Sequence, residues 1–97
     1  MDKHELEDLI DTIEYDAAMG IFIEKTIATE KMTYDTFLTL CREYPKLATA
    51  YEKGLIDYIW HLSEEMCHGH DTYKIIQNYR KEVESFKNRL TSNDTPN

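Results

Sequence analysis

Leu6, Leu9, Ile10, Ile13 and Ala17 recur at steps of three and four with Glu and Asp between them, the pattern of an amphipathic helix. No breaker interrupts before Gly20, so the spacing predicts a first helix from about Asp2 to Ala18. Its early acids, Asp2, Glu5, Glu7 and Asp8, suit the positive end of the helix dipole. Ile21, Phe22, Ile23 and Ile27 predict a short second helix that ends near Glu30 in the polar run Thr29-Glu30-Lys31. Its β-branched content is also compatible with a strand. Thr33 stands just before Tyr34-Asp35-Thr36-Phe37-Leu38-Thr39-Leu40-Cys41, where its hydroxyl can accept a backbone N–H two or three residues on and start a third helix. Pro45 lacks a donor and biases Tyr44 away from helical angles, which stops that helix near Glu43 or Tyr44. The same proline suits the first turn of the next helix.

A fourth helix is expected from about Lys46 to Cys67, with Leu47, Ala50, Tyr51, Leu55, Tyr58, Ile59, Leu62 and Met66 on one face. Gly54 within it permits close approach of a neighbour, at a cost of about 1 kcal/mol against Ala. Cys67-His68-Gly69-His70-Asp71 reads as a turn, and Asp71 or Thr72 as the cap of the last helix. There Ile76, Tyr79, Val83, Phe86 and Leu90 form the narrow seam of a bundle or coiled-coil partner. That seam, with Trp60 at the edge of the buried face of helix four, is expected to hold copies together in a homo-oligomer, given the enrichment of Trp and Tyr at interfaces. Thr91 to Asn97 contains no apolar residue and is expected to be a disordered tail. The fold class is therefore all-α, about five helices in one domain over residues 1–90: a helix-turn-helix over about 21–44 in its core, and a C-terminal hairpin over about 46–90.

Composition fits this picture. With three Gly and two Pro in 97 residues, the chain lacks the turn formers that an all-β fold needs. Cys41 and Cys67 match no disulfide framework, and the acidic N-terminus is unlike a signal peptide, so the expected compartment is a reducing cytoplasm, that of the host if the protein is viral. Charges interrupt every apolar stretch short of the ~20 residues that span a bilayer, so no membrane partner is expected. The formal charge of −8 is uneven. Residues 1–30 carry nine acids against Lys3 and Lys25, a balance of −7. From Thr72 to Leu90, five cations face Glu82 and Glu84, a balance of +3. Such a chain is repelled by nucleic acid at long range, and any DNA contact must be local or multivalent.

Candidate chemistry is sparse. There is no phosphate-cradling Gly loop and no nucleophile with a partnered base at recognisable spacing, so no enzymatic activity and no cofactor are expected. His61, Cys67, His68 and His70 cluster, yet zinc normally takes paired ligands from two separated loci, and the second locus here is only His61 with Glu64. A solvated turn is the reading adopted, with no metal. Trp60, Tyr58, Tyr51 and Tyr44 have the spacing of a base-stacking platform, but aromatics three or four apart on a helix more often make core or interface.

Two short helices joined by a polar turn have the dimensions of a helix-turn-helix, as any small helical protein does. The run Thr33 to Gly54, TYDTFLTLCREYPKLATAYEKG, is more particular. In Thr33, Thr36-Phe37, Glu43-Tyr44-Pro45, Leu47 and Tyr51 it resembles the homeodomain-like helix-turn-helix of phage terminase small subunits, with Ile21 to Ile27 as the preceding helix. The resemblance covers roughly half the chain. It implies a non-enzymatic protein that recognises double-stranded viral DNA for packaging, assembles into a ring and hands the DNA to a large ATPase-nuclease subunit. On that basis Thr36, Thr39 and Arg42 are expected to face DNA, and Lys31 and Lys46 to touch phosphate. The chain departs from the family in having Arg42 as the one cation among Tyr34, Asp35, Thr36, Thr39 and Arg42, where guanine contacts favour several. The alternatives are that Phe37, Leu40 and Cys41 merely pack a core, or that the chain is an acidic module binding a host nucleic-acid-binding protein.

Overall fold

The computed structural model describes residues 1–65 and 70–91. They form five helices, α1 (Lys3–Ala18), α2 (Ile23–Thr29), α3 (Tyr34–Glu43), α4 (Pro45–Glu65) and α5 (His70–Thr91), and no strand. The strand alternative for Ile21 to Ile27 is thereby set aside. The second helix begins at Ile23, because Phe22 is its extended N-cap residue. Asp71 lies within the first turn of α5, and Thr91, expected in the tail, is its last residue, its hydroxyl donating to the Lys87 carbonyl at 3.0 Å. Residues 92–97 of the expected tail lie outside the described residues.

Local chemistry explains each helix end. Asp2 and Glu5 make a reciprocal capping box, the Glu5 N–H donating to Asp2 Oδ1 at 2.8 Å and the Asp2 N–H to Glu5 Oε1 at 3.1 Å. After α1 the chain turns through Gly20 at φ +83°, with the Ile21 N–H donating to Asp16 O and the Gly20 N–H to Ala17 O. This is the Schellman arrangement, in which a residue free of a Cβ penalty satisfies the last carbonyls. The same pair of bonds closes α2, from Met32 N–H to Ile27 O and from Lys31 N–H to Ala28 O. There the left-handed position, φ +57°, is held by Lys31 and not by glycine, at a cost of about 1 kcal/mol. Thr33 caps α3 as its spacing predicts, accepting the Thr36 N–H at 3.1 Å.

α4 is the axis of the molecule, and α1 and α5 both pack along it. α1 lays Leu9, Ile13 and Ala17 on it, and Gly54 is where the two helices meet most closely. A Cβ on Gly54 would stand 2.6 Å from Ala17 Cβ and from the Glu14 carbonyl oxygen. The core is keyed by three aromatic rings from three helices. Tyr51 meets Phe86 edge-on at 4.8 Å and Phe37 edge-on at 5.5 Å, while Phe37 and Phe86 lie 6.0 Å apart. Such pairs add roughly 0.5–1.5 kcal/mol each to the burial of their area. Phe86, expected at an interface between copies, is fully buried inside its own subunit. The C-terminal hairpin is therefore not a separate layer, since α5 completes the core that α3 and α4 begin.

Two buried groups resist ionisation. Burial pushes the Cys41 thiol up to about 12. Burial, then the hydrogen bond to Glu82 and its charge, raises the Tyr51 phenol.

Two outcomes follow from this packing. Gly54→Ala should destabilise the protein by about 1–3 kcal/mol despite alanine's better helix propensity, because backbone and not a flexible side chain blocks the new methyl; urea denaturation reads this directly. Stability should also fall with alkali. In the unfolded chain the thiol and phenol ionise near 9.0 and 10.0, below their folded values, so the unfolded state loses protons first. Stability is thus complete below about pH 9 and declines as pH rises towards 12, and Tyr51→Phe should make that decline shallower.

Candidate nucleic-acid interface

α3 has two unlike faces. Phe37, Leu38 and Cys41 are buried, while Asp35, Thr36, Thr39, Arg42 and Glu43 are exposed. Hydrophobic packing behind the helix thus holds its polar side outward. The hydroxyls of that side are already oriented. Thr36 Oγ1 accepts from the Thr33 hydroxyl at 3.0 Å and keeps its own proton to donate, whereas Thr39 donates its proton to the Asp35 carbonyl at 3.0 Å and keeps only acceptor capacity.

Arg42 is not a free cation. Its Nε donates to the Leu90 carbonyl at 3.1 Å and its Nη2 to the Arg89 carbonyl at 2.8 Å, so the guanidinium caps the C-terminal end of α5. A cation there also complements the negative end of the helix dipole. In return Arg89 reaches to α3, its guanidinium carbon 5.3 Å from the centre of the Tyr34 ring. This pair of arginines clasps α3 to the end of α5. Arg42 retains three of its five N–H donors.

The other cations predicted to touch DNA flank α3 in the chain. Lys46 is exposed in the first turn of α4, and Lys31 is exposed in the turn before α3. Lys87, further along α5, lies 3.9 Å from Glu52 and is partly neutralised. Asp35 and Glu43 share the exposed face of α3 with Arg42, one in its first turn and one in its last, and oppose the cations there. Arg89 is the residue that sequence reasoning left out of this set. The positive balance of the last helix was its one signal, and no spacing rule links it to α3.

The residues expected between copies divide. Trp60 is 64% exposed and Ile56 41% exposed, and with Ile59, Ser63, Arg80 and Val83 they line an open groove between α4 and α5. Ile76, Tyr79, Val83 and Leu90 are half-buried. Of these, Tyr79 is occupied within the chain, its ring against Tyr58 at 4.9 Å and its hydroxyl donating to the Gly20 carbonyl at 3.2 Å. Phe86 offers no surface to a second copy. Of the residues expected between copies, Trp60 on α4 is thus the one left exposed.

Among the described residues, no group of three or more His, Cys, Asp or Glu could hold a metal ion. His61 and Glu64 are exposed, while Cys67, His68 and the His70 side chain of that cluster lie outside the described residues. No helix among them is long and apolar enough to cross a membrane. Compared with protein-family models, curated proteins and solved structures, the chain matches none.

The clasp predicts a local effect of Arg42→Ala. Amide exchange should quicken from Lys87 to Thr91 while α1 is unchanged, with a loss of about 1 kcal/mol in global stability. Arg42→Lys keeps the charge without the fork and should fall between the two.

Proposed function

We propose that this chain is a non-enzymatic DNA-recognition protein of the small-terminase kind, acting as an oligomer in viral genome packaging. The observation that carries the reading is the division of α3, whose polar side, with Thr36, Thr39 and Arg42, faces solvent while Phe37, Leu38 and Cys41 anchor it from behind. In this reading Arg42, Arg89, Lys31 and Lys46 meet phosphates, and the threonine hydroxyls meet base edges or the sugar-phosphate backbone. A single copy binds weakly, because Asp35, Glu43 and the acidic first helix oppose the approach. Several copies on one duplex multiply these weak contacts, and the exposed Trp60 and Ile56 supply an apolar surface on which copies can meet.

A second reading draws on a different observation. Glu5, Glu7, Asp8 and Asp11 of α1 are all exposed, a surface suited to occupying the nucleic-acid site of a basic host protein. Fluorescence anisotropy with a labelled duplex separates the two. The packaging reading expects retention at about 50 mM salt that weakens steeply as salt rises, with Arg42→Ala and Lys46→Ala each lowering the salt slope by about one. Lys31→Gly should weaken retention while raising stability by about 1 kcal/mol, since glycine relieves the left-handed backbone. Absence of any retention at low salt would remove the DNA reading and leave the protein-binding one.

A further inference from the structure

Between the start of α2 and α5 lies a pocket of about 180 Å³ floored by Tyr51 and Leu55 of α4. It is smaller than the ~300–1,000 Å³ of sites for drug-sized ligands, with room for one long side chain. Its wall is aromatic: Phe22, 68% exposed, lies with its ring nearly parallel to that of Tyr79, the planes 7° apart and the centroids separated by 6.3 Å. Its polar lining consists of Glu24, Glu82 and Asn78, with the Tyr51 hydroxyl, which donates to Glu82 Oε2 at 2.8 Å. Neither carboxylate has an ion-pair partner among the described residues. Arg89, two turns along α5 from Glu82, is held over Tyr34 instead.

We propose that this pocket receives one arginine side chain from a basic peptide segment of a partner protein. An aromatic wall beside two uncompensated carboxylates favours a cation whose flat face is apolar and whose edge donates hydrogen bonds. Guanidinium has that form, stacking on rings and forking to a carboxylate, whereas the ammonium of lysine is compact and strongly hydrated. Glu82 is held from below by Tyr51, so its carboxylate is set in place before the ligand arrives. Residues 1–30, which include Ile21 to Glu24 of the pocket, carry a negative balance that favours a basic partner. The pocket shares no residue with the exposed face of α3, so the assignment does not depend on DNA binding.

The test is a titration of the isotope-labelled full chain, followed by NMR, with three short capped peptides, Gly-Arg-Gly, Gly-Lys-Gly and Gly-citrulline-Gly. Saturable shifts confined to Ile21 through Glu24 and Asn78 through Glu82 with the arginine peptide, at least about five-fold weaker with lysine and absent with citrulline, would support the proposal. Glu24→Gln, at an exposed residue, and Glu82→Gln, which keeps an acceptor for Tyr51, should each weaken binding about five- to ten-fold. Lysine binding as well as arginine would overturn the arginine assignment. Shifts that never saturate and spread over the acidic face of α1 would reduce the effect to general electrostatics. Shifts of the same residues on concentrating the protein without peptide would give the pocket to a second copy instead.

Discussion

The contact among Phe37, Tyr51 and Phe86 is the constraint on which this fold depends. Each ring comes from a different helix, and each is almost wholly withdrawn from water. Phe37 fixes how α3 is rolled, and therefore which of its residues face outward. Phe86 brings α5 to the end of α3, where the two arginines then close the clasp. A chain of 97 residues has only one core to spend on such tasks. Loss of Phe86 would therefore loosen α3 and the end of α5 together, where a two-layer molecule would lose only the outer one.

Much of this arrangement is legible in the residues. Thr33 before an apolar-periodic run marks the start of α3, Pro45 separates α3 from α4, and Gly54 marks a close crossing; all three act through backbone chemistry that needs no knowledge of the partner. The boundaries of α1 to α3 follow for the same reason. Periodicity also finds the apolar stripe of α5 but is silent on what covers it. Phe86 belongs to the subunit's own core, while Trp60 on α4 stays exposed. A stripe in one dimension does not distinguish an intramolecular neighbour from a second chain.

The left-handed Lys31 and the tethered Arg42 were hidden for different reasons. A turn of this type normally announces itself by Gly or Asn, and a lysine at φ +57° carries no such mark. Arg42 has the appearance of a surface cation on a recognition helix, and its partners are carbonyls 47 and 48 residues away. Main-chain acceptors have no sequence signature at all. The pocket between α2 and α5 is hidden in the same way, because Phe22 and Tyr79, or Glu24 and Glu82, become neighbours only once both helices rest on α4.

A formal count of cations overstates what α3 presents to an anion. The C-terminal end of α5 carries the equivalent of about half a negative charge, and the Arg42 guanidinium lies directly on it. Asp35 and Glu43 offset most of what remains on that face. Under the DNA reading, then, recruitment of Arg42 to phosphate competes with its structural task, and affinity per copy stays low however well the hydroxyls fit. Self-association becomes a requirement of that reading and not an addition to it, since only repeated contacts along one duplex raise the total without more positive charge per subunit. A monomer that bound DNA tightly would thus contradict the electrostatics of the fold even while agreeing with the shape of α3.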